Sequence, residues 1–300
     1  MEHVFYAFIE SVLTRLDKED VEEISDISGA HLWSRAAGRH KENLVCLLVY
    51  LRAKVNGNLS FYCYSENGVE QNKINFDEMI RMDGRFVRIH LFRVFCTLYP
   101  FADKRHEIPM ERLPEVISFL SQYRLGSMKI VGKDRNFQRL LGREFAKSPI
   151  STRELTLHSP GMKGFLRTQL GSHGLTHLEL DQEKCPQEIR EDLEAFACSA
   201  QFKKLNVYGK TPRFDFESLS RIVASWKRRQ SEQHVSVIVP TSGNLEEEFA
   251  ALMPRNPSRE NAFLEEEFGE YSLDVLNVSL DVLNVLKMVL LCVSTVFKIQ

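Results

Sequence analysis

Residue types that catalyse reactions or bind metals occur in this chain, but their spacing does not match the motifs that such chemistry needs. His173 and His177 are spaced like two zinc ligands on one helix face, yet His177 begins a predicted strand and no Cys-x-x-Cys completes the site. Residues 209–211 read Gly-Lys-Thr, the end of a phosphate-binding loop, but Lys204 stands where that loop begins with glycine. No Gly-x-Ser-x-Gly motif is present. The sequence therefore predicts a non-enzyme with no catalytic residues, metal site or cofactor.

Five short apolar strands recur between residues 128 and 240, and an amphipathic helix is predicted in each gap. The strands are 128–131, 154–158, 177–181, 204–208 and 235–239, and their first apolar residues are 27, 23, 27 and 30 residues apart. This spacing is typical of a leucine-rich-repeat solenoid, whose units run about 20–29 residues. The pattern L-x-x-L-x-L is kept at 125–130 and 175–180, and with Phe202 in the next unit. We predict leucine-rich-like βα repeats over 125–240; an ordinary α/β sheet with helical crossovers is the alternative.

The polar residues between the leucines of these strands are candidates for a binding face. Side chains alternate along a strand, so the leucines point into the core and the intervening residues point away from it. Mixed polar rows that include an aromatic residue are common at protein-recognition surfaces. The predicted target-binding face consists of Lys129, Thr156, His158, Glu179, Asp181, Asn206 and Tyr208, with Ser236 beside them.

The N-terminal residues 1–40 are predicted to form a helical module. An apolar stripe runs through residues 5–16, and a second one begins at Val21 after a polar break. The series Ile-x-x-Val-Leu-x-x-Leu-Asp-x-x-Asp-Val at 9–21, followed by an apolar pair and a tryptophan, resembles the F-box. The matching residues are Ile9, Val12, Leu13, Leu16, Asp17, Asp20, Val21, Ile24, Ile27 and Trp33.

The resemblance implies a docking function. The F-box attaches a protein to the adaptor subunit of cullin-type ubiquitin ligases, and Phe5-Tyr6 stands here in place of the family's opening Leu-Pro. The residues that the resemblance assigns to adaptor binding are Phe5, Phe8, Ile9, Val12, Leu13 and Leu16. Together with the repeats, residues 1–240 resemble the F-box-type families expanded in nematodes.

Two further regions complete the predicted α/β architecture. Residues 43–124 are β-rich, with hairpin turns at 56–58 and 67–68, and are expected to form a small antiparallel region that links and caps the repeats. Residues 241–300 form a C-terminal tail, predicted to be partly helical or disordered. The tail contains an exact duplication of Ser-Leu-Asp-Val-Leu-Asn-Val at 272–278 and 279–285, which allows a short heptad helix.

Composition narrows the possible partners and compartment. The formal net charge of −2 gives no bulk attraction to nucleic acid or to an anionic membrane. The apolar stretch 285–297 is short for a membrane span, so membrane association is unexpected. With no basic, apolar leader at Met1 and with six scattered cysteines, we predict a protein of the cytoplasm or nucleus.

These expectations combine into one functional hypothesis. The chain is predicted to be a substrate receptor of a cullin-type ubiquitin ligase, which contacts the ligase adaptor subunit and a target protein. The alternatives are a stand-alone binding scaffold without a ligase link and, in a different class, an enzyme on an open α/β sheet. That enzyme would need a deep pocket beyond the strand ends.

Overall fold

Helices and mostly parallel strands alternate along this chain, which is therefore mixed α/β as predicted. The computed structural model describes residues 2–16, 18–27, 31–54, 57–66, 73–99, 106–158, 162–181, 185–228, 235–241 and 275–280. The chain divides into two units, Met1–Glu154 and Leu155–Gln300. Strand β6, introduced below, spans the boundary between them.

The first unit begins with three helices, α1 (Glu2–Leu13), α2 (Lys18–Ser25) and α3 (His31–Asn43), which we call the N-terminal helical module. The sequence predicted two helices here and missed the third. The module has its own core of fully buried apolar side chains: Ile9, Leu13, Val21, Ala36 and Ala37. Ser34 Oγ also donates to the Ser25 carbonyl at 2.6 Å, which ties α3 to the end of α2.

Arg88 fixes this module within the first unit, and a buried histidine joins two of its helices. Arg88, on the later strand Val87–Tyr99, donates from Nη2 to the Leu13 carbonyl at 2.6 Å and from Nε to the Leu16 carbonyl at 2.9 Å. These carbonyls lie at and just beyond the end of α1, where a helix leaves its own acceptors unpaired. The fully buried His40 donates from Nε2 to Glu10 Oε2 at 2.9 Å, and its ring lies 5.0 Å from that of Phe86.

The Glu10 carboxylate gives the module a dependence on pH. Burial by itself would raise the pKa of Glu10, but hydrogen bonds from His40 and Tyr6 outweigh it and lower the pKa below its ordinary value of 4.5. A carboxyl group whose pKa is lower in the folded state adds stability above its unfolded pKa, and this stability is lost as pH falls through the folded value. Acid should therefore loosen the module.

We expect Glu10→Gln to reduce the free energy of unfolding of the first unit near neutral pH. Toward acid pH, this free energy should fall less steeply than in the native chain. The measurement is urea unfolding followed at several pH values between about 7 and about 3. In the variant the glutamine is neutral throughout, so its free energy of unfolding should approach that of the native chain at the acid end. Two curves that stay parallel over the whole range would contradict the assignment.

The remaining strands of the first unit lie in the order β4-β2-β1-β3-β5. They are β1 (Val45–Lys54), β2 (Leu59–Ser65), β3 (Val87–Tyr99), β4 (Glu107–Ile108) and β5 (Arg124–Val131), with helices α4 (Phe76–Met79), α5 (Leu113–Leu120) and α6 (Arg135–Lys147). The predicted hairpin is confirmed, because β1 and β2 pair antiparallel around Gly57, whose φ of 82° suits glycine. β2 also pairs antiparallel with β4, but the expected antiparallel region is wrong for β3, which pairs parallel with both β1 and β5.

Strands and helices alternate regularly in the second unit. Strand β6 (Ser151–Leu157) is followed by α7 (Lys163–Leu170), β7 (His177–Leu180), α8 (Arg190–Ala197), β8 (Lys204–Val207), α9 (Phe216–Arg228) and β9 (Val235–Pro240). The strands lie side by side in chain order, and β7 and β8 and then β8 and β9 pair parallel. All five strands predicted from the periodicity, including β5 of the first unit, are confirmed to within a few residues.

One strand of the second unit comes from the duplicated segment. Residues Val275–Leu280 form β10, which pairs antiparallel with β9 over its full length. A heptad helix through this stretch is therefore wrong for residues 275–280. The rest of the tail beyond residue 241, including the apolar stretch 285–297, lies outside the described residues.

Neighbouring helices of the second unit are joined by ion pairs that the sequence did not reveal. They are Lys163–Glu188, Arg167–Asp192 at 2.9 Å, Arg190–Asp215 at 2.7 Å and Arg221–Glu194 at 2.5 Å. The first three join residues 25 positions apart, one βα unit along the chain. Exposed pairs of this kind add little stability individually, but they fix which helix faces lie together.

Candidate protein-interaction site

Three consecutive strands of the second unit place a polar residue directly beyond their carboxyl ends. His158, Asp181 and Tyr208 follow β6, β7 and β8. The backbone N–H of Asp181 donates to the Leu157 carbonyl, and that of Tyr208 donates to the Leu180 carbonyl, both at 2.9 Å. The strand pairing thus continues to these residues, and each lies beside the next. Carboxyl ends of parallel strands are common positions for binding residues in α/β proteins.

His158 and Asp181 form a direct contact across two strands. The distance between His158 Nδ1 and Asp181 Oδ2 is 2.7 Å. An ionised carboxylate only accepts hydrogen bonds, so Nδ1 carries the proton and, in the neutral ring, Nε2 is the acceptor. Nε2 is buried and has no hydrogen-bond partner among the described residues.

Asn206 extends this arrangement to the next strand. Its side chain is buried, with 1% of the residue exposed, and Nδ2 donates to Tyr208 Oη at 3.0 Å. Its carbonyl oxygen Oδ1 is buried and has no hydrogen-bond partner in the described part of the chain. In the parallel pairing of β7 and β8, Asn206 lies opposite Glu179.

The pKa of the Tyr208 hydroxyl is raised by the groups around it. Burial raises the pKa of Tyr208, and the nearby carboxylates of Glu179 and Asp181 raise it further, while the hydrogen bond from Asn206 lowers it in part. The Tyr208 residue is nevertheless 55% exposed. We call His158, Glu179, Asp181, Asn206 and Tyr208 the strand-end cluster.

The structure brings together most of the predicted target-binding face. Alternation is confirmed, because Thr156 and Glu179 are half-buried between buried leucines. The expectation that every member faces solvent is wrong for Asn206, which is buried. Ser236 pairs with Lys204 in the β8–β9 register, and the residue opposite Asn206 is Ile238.

Lys129, the remaining predicted face residue, lies in the first unit among cations and aromatic rings. It pairs in register with Arg93 of β3. The Arg93 guanidinium carbon lies 6.0 Å from the ring centre of Tyr50 and 5.9 Å from that of Phe95. Tyr50 in turn stacks on Tyr62 with centroids 5.1 Å apart. The surroundings of Lys129 therefore differ in charge from the acidic strand-end cluster.

The residues expected to bind the adaptor divide between the core and the surface of the N-terminal helical module. Ile9 and Leu13 are fully buried, so their assignment as contact residues is corrected: they hold the module together. Val12 and Leu16 are half-buried. Phe8 is 59% exposed, with its ring 6.4 Å from that of Trp33. Phe5 belongs to α1, and its side chain lies outside the described residues.

Two more apolar side chains of the module are exposed. Ile27 is 50% and Leu32 is 43% exposed. Leu32 was not predicted as a site residue, although an apolar residue next to Trp33 in the first turn of α3 was a signal that pattern reading could have used. Among the described residues, the remaining exposed large hydrophobic side chains are Ile80 and Tyr208.

The nucleophilic and metal-binding residue types in the described ranges show no reactive arrangement. Burial raises the pKa of Cys63 and Cys96 to about 12 and that of Cys185 to about 11, so these thiols are protonated at neutral pH. His177 Nδ1 bonds with the neighbouring Thr176 hydroxyl at 2.7 Å. Within the described residues, no group of three or more potential ligands is placed to hold a metal ion.

Comparison with known proteins adds no relative. No protein-family model, curated protein or solved structure matches this chain. Of the helices that the structure describes, none has both the length and the apolar character needed to cross a membrane.

Proposed function

We propose that this protein is a non-catalytic interaction adaptor that serves as the substrate receptor of a cullin-type ubiquitin ligase. The observation that carries the proposal is the N-terminal helical module, which has its own apolar core and still exposes Phe8, Ile27 and Leu32. Exposed large apolar side chains are candidates for contact with a partner, and three of the five among the described residues belong to this one small element. The module resembles the F-box, so its partner is the ligase adaptor subunit.

The second unit supplies the surface for the target protein. Its consecutive strands lie side by side, and its consecutive helices contact each other through the ion pairs described above. This arrangement supports a leucine-rich-like solenoid, in which each βα unit completes the core of its neighbour and a row of polar residues remains open. The strand-end cluster lies in that row, and the target protein binds there.

A substrate receptor acts by binding two proteins, the adaptor and the target, at separate surfaces of one chain. Linking the surfaces turns the second binding event into an intramolecular one, which raises the effective concentration of target lysines near the ligase. No catalytic group is needed for this role. Cullin-type ligases work in the cytoplasm and nucleus, which is where we place this protein.

Capture of the purified adaptor subunit by the full chain tests the proposal. We expect native protein to bind the adaptor, and the double variant Phe8→Glu with Leu32→Glu to bind at least about tenfold more weakly, because both changes put a charge on the exposed apolar surface. Glutamate is tolerated in helices, so the module should remain folded. Biolayer interferometry measures the affinities, and circular dichroism checks the fold.

Ile80→Glu is the matched control. Ile80 is also an exposed large hydrophobic residue of the first unit, but it lies outside the N-terminal helical module. This variant should keep native affinity for the adaptor. The ligase role would be contradicted if the folded native chain did not bind the adaptor. It would also be contradicted if the control lost as much affinity as the double variant.

The second candidate function is a stand-alone scaffold without a ligase link. It is favoured by the burial of Ile9 and Leu13, which leaves fewer of the predicted residues for an adaptor to contact. The adaptor experiment separates the two candidates, because a stand-alone scaffold binds its target protein through the second unit alone.

A further inference from the structure

Two buried hydrogen-bond acceptors in the strand-end cluster lack partners among the described residues. They are His158 Nε2 and Asn206 Oδ1. An unpaired buried polar atom is costly, since folding removes its water and supplies nothing in return. Both atoms belong to residues fixed by a second contact, His158 to Asp181 and Asn206 to Tyr208. Both acceptors are therefore held in fixed positions, and no described residue donates to either of them.

The charges around these atoms indicate the kind of donor. Glu179 and Asp181 raise the pKa of the Tyr208 hydroxyl, to which Asn206 is bonded, so both carboxylates act on the same small region. Asp181 uses Oδ2 for His158, and its side chain is exposed. Four groups can accept hydrogen bonds and two of them are negative. A ligand with several donors and a positive charge matches this set.

The exposed Tyr208 indicates which basic side chain, arginine or lysine, fits the cluster better. The residue is 55% exposed, its hydroxyl accepts from the buried Asn206 amide at 3.0 Å, and the carboxylates of Glu179 and Asp181 act on that hydroxyl. A guanidinium group is planar, carries five donors and stacks on aromatic rings, whereas an ammonium group is a compact point charge with three donors. Acceptors on three neighbouring strands are better matched by the wider group.

We propose that the strand-end cluster binds an arginine side chain of the target protein. The guanidinium group stacks on Tyr208, donates to Asp181 and Glu179, and satisfies the buried acceptors of His158 and Asn206. This inference rests on the proposed function, because it assigns a chemistry to the face that holds the target. It involves the second unit alone, so it does not depend on the adaptor.

The test uses blocked arginine, N-acetyl-arginine methylamide, as the probe and the full-length chain as the receptor. Nuclear magnetic resonance of the Asn206 side-chain amide follows the titration. We expect saturable shifts with affinity on the order of millimolar, as is reasonable for so small a ligand. Blocked lysine should bind several-fold more weakly, and blocked citrulline, the neutral analogue, should not saturate.

Variants that keep the fold locate the interaction. Asp181→Asn and Asn206→Leu should each weaken the binding of blocked arginine by about tenfold, because each removes an acceptor for a charged donor. In Asn206→Leu the Tyr208 ring resonances report the titration. Glu191→Gln is the control: it also removes one exposed carboxylate from the second unit, but on helix α8, and it should bind as native.

Three results would overturn the inference: equal shifts with citrulline, equal weakening by Glu191→Gln, or no saturable binding by folded native chain. None of these outcomes affects capture of the adaptor by the N-terminal helical module. Conversely, arginine binding with no adaptor capture would remove the ligase role and leave the arginine site intact, so the two proposals fail separately.

Discussion

Phe202→Ala is expected to lower the free energy of unfolding of the second unit by about 3–5 kcal/mol. The Phe202 side chain is buried between two helices, with its ring edge-to-face against Phe196 at 5.2 Å and stacked on Trp226 at 5.7 Å. Trp226 is itself fixed by a hydrogen bond from Nε1 to the Ala197 carbonyl at 2.8 Å. Because this partner cannot move into the space, the truncation leaves a cavity.

Urea unfolding followed by tryptophan fluorescence measures this loss. The chain has two tryptophans, Trp33 in the first unit and Trp226 in the second, so Trp33→Phe gives a background that reports the second unit alone. Phe202→Leu keeps most of the volume and should cost under about 1.5 kcal/mol. If alanine costs no more than leucine, the aromatic cluster is not a rigid part of the core.

Arg88→Met should destabilise the N-terminal helical module by about 2–4 kcal/mol. The variant keeps an unbranched apolar stem but removes the charge-assisted hydrogen bonds to the carbonyls of Leu13 and Leu16, together with those from Nη1 to the carbonyls of Arg85 and Val87. Hydrogen exchange of the α1 amides measures the effect, since local unfolding of the module exposes them. Exchange in the second unit should remain at its native rate.

Arg81→Met provides the control for Arg88. It removes the same charge from an exposed residue of the same unit, so it should leave the exchange of α1 unchanged. Native exchange rates in Arg88→Met would show that the module is held by its own core alone. The adaptor-binding surface would then be independent of the strand that carries Arg88.

Local periodicity was sufficient to predict the strands of the second unit but not the pairing in the first. In the second unit the strands lie side by side in chain order, so a regular repeat of apolar residues implies the sheet order. In the first unit β3 lies between β1 and β5, parallel to both. That choice depends on contacts between distant segments, and a pattern within one strand carries no information about it.

The N-terminal helical module shows a similar limit. Its apolar stripes predicted α1 and α2. The fully buried residues of α3 are Ala36, Ala37 and His40, and two small side chains and a histidine between charged residues give a weak apolar pattern. Spacing also identified Phe8 and Leu13 as equivalent apolar positions. One is exposed and the other fully buried, because the position of α3 decides which side of α1 is covered.

The strand-end cluster was predictable in its membership and not in its contacts. Alternation within x-L-x-L-x placed His158, Asp181 and Tyr208 at successive strand ends. The contact between His158 and Asp181, and the burial of Asn206 with its hydrogen bond to Tyr208, depend on strand register and side-chain rotamers. Neither can be read from a single sequence, although together they define the proposed arginine site.

The ion pairs between α7, α8 and α9 have a consequence for how such a chain can grow. Three of them span the same distance of 25 residues. A gene duplication that copies one whole βα segment would deliver its charges already matched to the adjoining helix. A partial copy would leave some of these charges without their partners. Lineages descended from this protein should therefore change length in complete segments.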